Sequence, residues 1–337
     1  MKFALSVSVI ALGIGLACAG QFAAAAPTVT ISQSGTGNTV AAEQTGLDPD
    51  AEVSATITQN GTNNHVGGPG GTTGGILQYG PSTGAVAKVT QTGTGNNVGI
   101  VQGEVGVLIP NIDITQTGDA NSAIVSQVTS SGTDIIVKQN GTGNATIVTQ
   151  NAADTEVDVT QTGTNNSATV VDQLTGTTFG PTIVQDGDGN TVTATSYNVG
   201  LSDHTITQTG SHNTAATLQA NASGSTLSVE QMGTDNRANA AQTDAFLSAL
   251  AIHQMGTGNQ ANITQSGDNQ SATINQNGNN NVGTIIQNGL SPAPLGNTAL
   301  ITQIGNTNNA TIRQVGDAFA STVTQTGSGN YTSVYQH

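Results

Sequence analysis

The chain has little charge and few aromatic side chains. Of its 337 residues, 7% are charged and 3% are aromatic, and Trp is absent. A typical soluble domain carries about 25% charged residues, and a large conventional core needs more aromatic and long aliphatic side chains. The low charge argues against disorder driven by charge. A formal net charge of −15 argues against a basic nucleic-acid-binding protein.

Cysteine is almost absent too, because Cys18 is the only one. It lies in an N-terminal segment that has Lys2, an apolar run over 3–17 and then small residues, which is typical of a secretory signal. We predict a signal peptide over 1–25 and a mature chain without disulfides or cysteine metal sites. The alternatives are a lipoprotein modified at Cys18 and a retained anchor, for which the run is too short to span a membrane. No later stretch is apolar enough to predict a membrane span.

Glycine, Asn, Gln and Thr are abundant, and they form a repeat. The pattern Gln-x-Gly-x-x-Asn occurs thirteen times, at spacings of 22 to 32 residues. Its Gln residues are Gln33, Gln59, Gln91, Gln116, Gln139, Gln161, Gln185, Gln208, Gln231, Gln254, Gln276, Gln303 and Gln325. Its Asn residues are Asn38, Asn64, Asn96, Asn121, Asn144, Asn166, Asn190, Asn213, Asn236, Asn259, Asn281, Asn308 and Asn330. Two residues before each Gln stands Ile or Val, which indicates a strand with one buried face.

A second Gln completes most copies of the pattern. It follows the first by eleven residues in ten copies, at Gln44, Gln102, Gln127, Gln150, Gln219, Gln242, Gln265, Gln287, Gln314 and Gln336. The copy that starts at Gln161 has Gln173, twelve residues on, and the copies at Gln59 and Gln185 have none. Each copy therefore predicts a strand, a tight Gly/Asn turn, a second strand and a second turn. The insertions 67–75 and 291–296 are expected in the second turn.

These repeats predict an all-β fold, a β-solenoid of about 13 stacked strand-turn-strand rungs over residues 26–337. The thirteen Gln and thirteen Asn of the pattern are the candidate site residues, as structural ladders in which each amide donates to one neighbour and accepts from the other. A column without polar caps presents unpaired strand edges at both ends. We therefore expect the chain to bind copies of itself end to end.

The pattern resembles the curlin repeat. Gln254-Met255-Gly256-Thr257-Gly258-Asn259-Gln260-Ala261-Asn262-Ile263-Thr264-Gln265 matches that repeat at every fixed position, and the resemblance extends over about 29–336. It implies a secreted subunit of curli-like functional amyloid, located in extracellular cell-surface fibres (a fimbrium or pilus) and used for biofilm matrix, adhesion and aggregation. It implies a nucleator subunit and an outer-membrane export channel as further partners. Familiar curlins have fewer units and an N-terminal segment that addresses this channel. Here only a few residues separate the predicted cleavage point from Ile31, so the export route and the choice between major subunit and nucleator stay open.

Other functions receive less support from the sequence. A monomeric surface adhesin or minor nucleator is one alternative, and an ice-binding solenoid is another, because Thr flanks the first Gln in five copies. No Ser/His/Asp arrangement or phosphate-binding loop stands out, so we expect no enzyme and no cofactor. The histidines share no metal-ligand spacing and are interpreted as scattered surface residues: His65, His204, His212, His253 and His337.

Overall fold

The computed structural model describes residues 27–45, 47, 52–67, 75–80, 84–103, 110–128, 132–151, 155–173, 180–289 and 295–337. The predicted signal peptide, 1–25, lies outside the described residues. The described residues form strands and turns without a helix, arranged as two parallel sheets. The predicted all-β solenoid is confirmed, with about 12 turns where the repeats predict about 13 rungs.

Sheet 1 consists of the strands that carry the first Gln of each copy. In spatial order, which is also chain order, its 13 strands are β1 (Thr28–Thr36), β4 (Ser54–Thr62), β7 (Val86–Thr94), β9 (Asn111–Asp119), β11 (Asp134–Thr142), β13 (Glu156–Thr164), β15 (Thr182–Asp188), β17 (Asp203–Ser211), β19 (Thr226–Thr234), β21 (Ala249–Thr257), β23 (Ser271–Asn279), β25 (Thr298–Asn306) and β27 (Ala320–Ser328).

Sheet 2 consists of the strands that follow the tight turn. Its 15 strands are β2 (Thr39–Val40), β3 (Ala42–Thr45), β5 (His65–Val66), β6 (Ile76–Tyr79), β8 (Asn97–Gly103), β10 (Ser122–Val128), β12 (Ala145–Gln150), β14 (Ser167–Gln173), β16 (Thr191–Tyr197), β18 (Thr214–Ala220), β20 (Arg237–Thr243), β22 (Gln260–Ser266), β24 (Val282–Asn288), β26 (Asn309–Val315) and β28 (Tyr331–Gln336). One rung is a sheet 1 strand with the sheet 2 segment that follows it.

Alternation along each strand builds the core between the two sheets. In β9, Ile112, Ile114 and Gln116 are buried while the residues between them are partly exposed. Equivalent residues pair directly in the next rung, since Ile114 lies opposite Val137 and Gln116 opposite Gln139. Ile, Val and Ala therefore stack in files that join into one cluster from Ala55 to Val323. Each fully buried Ile or Val contributes on the order of 1.5–3 kcal/mol, so the files offset the shortage of aromatic residues.

The tight turn between the two sheets uses left-handed backbone. The residue four after the first Gln has positive φ in every rung, whether it is Gly, Asn or another type. Asn63 and Asn165 adopt it at φ 53° and 55°, and Thr307 does so at φ 53°. Glycine and Asn tolerate this conformation best, which is why they dominate the position.

The insertion at 67–75 does not lie in the second turn, so that prediction is wrong. Strands β5 and β6 flank the insertion, and both pair with β8. The insertion therefore interrupts the second strand of its rung and lets the chain resume the same register at Ile76, which pairs with Ile100. Most of the insertion at 291–296 lies outside the described residues.

Candidate functional site

The first Gln of every rung points inward and hydrogen-bonds to the Gln of the next rung. All twelve steps from Gln33 to Gln325 are present, with Nε2 to Oε1 distances of 2.7–2.9 Å. In each step Nε2 donates towards the C-terminal end of the column. We call this file the first Gln ladder.

From Gln59 to Gln325, the second hydrogen of each amide joins the two sheets by a bond to a backbone carbonyl. Gln116 Nε2 also donates to the carbonyl of Asn97 at 3.1 Å, and Gln161 Nε2 donates to that of Ala145 at 3.0 Å. A buried amide that donates twice and accepts once is satisfied without water. The ladder can therefore occupy the core although its members are polar.

The Asn residues of the pattern form a second file, the Asn ladder, at the tight turn. Each Asn accepts at Oδ1 from both the backbone N–H and Nδ2 of the next Asn. Asn144, for example, donates to Asn121 Oδ1 from both atoms at 3.1 Å, and the same pair of contacts recurs from Asn38 to Asn330. Donation here runs towards the N-terminal end, opposite to the first Gln ladder.

A second Gln ladder lies in sheet 2 and differs from the sequence interpretation. Gln78 fills the position in the rung of Gln59, where the spacing rule found no Gln, because the insertion displaces it along the chain. The ladder then continues through Gln102 and Gln127 to Gln150. It resumes at Gln219 and continues to Gln336, with Nε2 to Oε1 distances of 2.8–3.0 Å.

Between Gln150 and Gln219, two other residues occupy the ladder position. Asp172 pairs with Gln150 and is buried, whereas Gln173 is exposed, so Gln173 is not the ladder residue of its rung. Asp172 Oδ2 accepts from Gln150 Nε2 at 3.3 Å and from the hydroxyl of Thr155 at 3.1 Å, while its Oδ1 is buried without a partner. Burial raises the pKa of Asp172 to about 6, against the lowering effect of the two hydrogen bonds.

The next rung has Ser196 at this position, and the buried His204 lies beside it. Ser196 Oγ lies 3.0 Å from His204 Nδ1, and Thr217 Oγ1 lies 2.7 Å from His204 Nε2. Burial lowers the pKa of His204 to about 4, because the interior disfavours the charged ring. The interpretation of His204 as a surface residue is wrong, since it occupies an inward position that Leu227 fills in the next rung.

Sequence reasoning also missed a ladder at the second turn. The backbone N–H of Ser225 donates to Ser202 Oγ at 3.0 Å, and that of Ser248 donates to Ser225 Oγ at 3.0 Å. Gln270 and Asn297 continue the file, since Gln270 Oε1 accepts from the backbone N–H of Asn297 at 3.2 Å and Asn297 Oδ1 accepts from that of Phe319 at 3.0 Å. The signal was a buried polar residue directly before seven of the thirteen sheet 1 strands, but its identity varies from rung to rung and the pattern is hard to see.

Glycine two residues after the first Gln allows successive rungs to approach closely. Gly163 has φ 111°, and a Cβ built on it would collide with the carbonyl of Gly187 in the next rung. The same collision recurs along this file, for instance between Gly210 and Gly233. The carbonyls of the file also accept from the Asn ladder, as Gly163 O does from Asn144 Nδ2 at 2.9 Å.

The two ends of the described column carry unmatched strand edges. Within the described residues, β1 pairs only with β4 and β27 pairs only with β25. The core-side residues of β1 are open to solvent, with Val29 42% and Ile31 44% exposed. The ladder directions leave the side-chain oxygen Oε1 of Gln33 and the Oδ1 of Asn330 as the outermost acceptors of their ladders.

Within the described residues, no group of three or more His, Cys, Asp or Glu side chains is placed to hold a metal ion. The described part of the chain also has no helix that is long and apolar enough to cross a membrane.

The comparison with known proteins identifies one repeat directly. The model of the curlin associated repeat matches residues 111–141. This segment spans β9 and β10 and most of β11, so it is one complete rung and the first strand of the next. The resemblance inferred from the sequence is confirmed for this segment. No curated protein matches the chain.

Proposed function

Starting from the curlin associated repeat at 111–141, we propose that this chain is a secreted structural subunit of curli-like amyloid fibres. Copies join end to end through the Gln and Asn ladders. The resulting fibre serves in biofilm matrix, adhesion and aggregation at the cell surface. The curlin repeat and the solenoid point to a structural role and not to an enzymatic one.

The observation that carries the proposal is the match between the two ends of the column. The last rung has Val323 and Gln325 where the first rung has Ile31 and Gln33. A second copy placed in the same orientation would receive Gln325 Nε2 on its Gln33 Oε1 and would donate from its Asn38 to Asn330 Oδ1. Both ladders would then continue across the junction with their internal geometry. Two copies placed head to head would bring acceptor against acceptor at Gln33.

The amide of Gln325 can make this bond by turning towards Gln33 the hydrogen that now points at the Thr332 hydroxyl, because an amide nitrogen has two hydrogens. It now donates to the Asn309 carbonyl at 3.0 Å and to the Thr332 hydroxyl at 3.1 Å. Gln139 has the same kind of neighbour, Thr146 at 3.2 Å, and still makes its ladder bond to Gln161. Joining therefore adds ladder bonds and also covers Val29 and Ile31, whose burial favours association.

Seeded assembly tests the proposal. We expect the mature chain to form fibres that bind thioflavin T, show a reflection at about 4.7–4.8 Å and grow from added seeds without a lag. A chain that remains monomeric for days at high concentration contradicts the proposal. If that monomer still bound cell surfaces, the adhesin alternative would take its place, and thermal hysteresis without fibres would favour ice binding.

Cross-linking tests the orientation. On a Cys18→Ser background, Thr322→Cys chains are mixed with Thr30→Cys chains, because Thr322 and Thr30 become register partners only in a head-to-tail junction, about 4.8 Å apart. A short bifunctional thiol reagent should give mixed dimers. Thr30→Cys chains alone are the matched control. Equal cross-linking in the control would contradict the head-to-tail arrangement.

A further inference from the structure

Two of the three methionines of the chain lie next to each other on the outer face of sheet 1. Met232 on β19 and Met255 on β21 are direct register partners, with side chains 44% and 49% exposed. In the adjoining rungs the same position is held by polar residues, Thr209 on one side and Asn277 on the other. The two methionines are therefore not part of a packed apolar file, and they do not contribute to the hydrophobic core.

A histidine shares this surface. His253 stands two residues before Met255 on the same strand, so the two side chains point to the same face. Met232, Met255 and His253 line one surface groove with a volume of about 270 Å³. In the sequence, His253 lies 21 positions after Met232. Only the register of the two strands brings the three together.

The imidazole of His253 is oriented by an acidic neighbour. Glu230 is its register partner on β19, and Glu230 Oε2 lies 3.2 Å from His253 Nδ1. This contact turns Nδ1 towards the carboxylate and leaves Nε2 as the nitrogen available to a metal. A carboxylate on the far ring nitrogen is the usual support of a metal-binding histidine.

We propose that Met232, Met255 and His253 bind one soft monovalent cation of the Cu(I) type. Thioether sulfur selects Cu(I) over the harder divalent ions, and imidazole is a good third ligand. Neighbouring parallel strands lie about 4.8 Å apart, a separation that two flexible methionine side chains bridge by converging on a single ion. Glu230 is a positioning residue in this site and not a ligand.

Titration with Ag(I), a soft ion that needs no reductant, tests the site. On the Cys18→Ser background, which removes the one thiol of the chain, we expect one Ag(I) to bind per chain and to shift the methyl NMR signals of Met232 and Met255 together. Met232→Leu, Met255→Leu and His253→Asn should each weaken binding at least tenfold. All three positions are exposed, so these variants are expected to fold. His212→Asn is the matched control, because His212 is also exposed and asparagine accepts its positive φ.

Three results would overturn the proposal: wild-type affinity in either methionine variant, an equal loss in the His212 control, or methyl signals that do not respond to Ag(I). Zn(II) provides a further control. If Zn(II) bound as tightly and with the same dependence on both methionines, the site would not be selective for soft ions. The titration applies to free chains and to fibres alike, so failure of assembly would leave its outcome readable.

Discussion

At the scale of single residues, the most unusual feature is a pair of buried ionisable groups near the middle of the column. Asp172 and His204 lie where other rungs have Gln and an aliphatic residue. Burial raises the pKa of Asp172 to about 6 and lowers that of His204 to about 4. Both groups are therefore neutral in the fold over part of the acid range, and they make opposite contributions to the pH dependence of stability.

Asp172→Asn should stabilise the protein at neutral pH and not at pH 4. The folded state keeps this proton up to about pH 6, whereas the unfolded chain loses it near the ordinary aspartate pKa of 3.8. The folded state thus binds more protons in that window, and stability falls as the pH rises through it. Asparagine removes this loss, so the free energy of unfolding of the variant should exceed that of the wild type by about 1–3 kcal/mol above pH 6. Thermal unfolding at pH 4 and 7 measures it, with the exposed Asp203→Asn as the control. An equal gain at both pH values would contradict the explanation.

His204→Leu should remove a loss of stability in acid. The unfolded chain protonates this ring near the ordinary histidine pKa of 6.5, but the folded state does so only near pH 4. Stability therefore falls as the pH drops from about 6.5 to 4. Leucine fits the position, since Leu227 holds it in the next rung. The measurement is the unfolding midpoint against pH for the variant and for His212→Asn, which should keep the wild-type profile.

At the scale of strands and turns, the glycines two residues after the first Gln should tolerate substitution less well than the residues at the left-handed turn position. Gly163→Ala should cost at least about 2 kcal/mol, because alanine at φ 111° is strained and its methyl would meet the Gly187 carbonyl. Gly95→Asn should cost far less. Gly95 has open space around its missing Cβ, and Asn63 and Asn165 already occupy the equivalent place. Comparable destabilisation of the two variants, by chemical denaturation, would contradict this distinction.

The ladder assignment of the strands is testable at neighbouring glutamines. Gln161→Leu leaves Gln139 Nε2 and Gln185 Oε1 without their ladder partners, and each buried unpaired group costs about 1–3 kcal/mol. Gln173→Leu changes an exposed side chain and should be almost neutral. The free energy of unfolding of each variant gives the comparison. A large effect at Gln173 would mean that the strand register after Gln161 is misassigned.

Most of these elements follow from the sequence, and the exceptions have physical causes. The period-two pattern before each first Gln is local, so strands such as β9 are predictable. Gln173 is not a ladder residue because successive residues of a strand point to opposite faces of the sheet. Asp172, eleven residues after Gln161, points inward, and Gln173, twelve residues after it, points outward. Gln78 was missed because an insertion inside a strand preserves register without preserving spacing.

At the scale of the whole molecule, the column is a quasi-linear stack whose local stability depends on neighbouring rungs. The second Gln ladder is broken at β14 and β16, where Asp172 Oδ1 has no partner. We expect backbone amides of these two strands to exchange with deuterium faster than those of β10 and β22, where the ladder is intact. The double variant Asp172→Gln with Ser196→Gln should restore protection there. Uniform exchange along the column would show that the break has no energetic effect.

The sequence by itself determined the period, most strand and turn positions, and that the repeated Gln and Asn point inward, because these depend on local alternation and on residues that tolerate positive φ. Tertiary structure decided the contacts that join residues more than twenty positions apart. The opposed directions of the Gln and Asn ladders, the burial of Asp172 and His204, and the meeting of Met232 with Met255 all result from stacking in register. Stacking turns a distance along the chain into a single strand spacing of about 4.8 Å, and no local pattern specifies which side chains will share it.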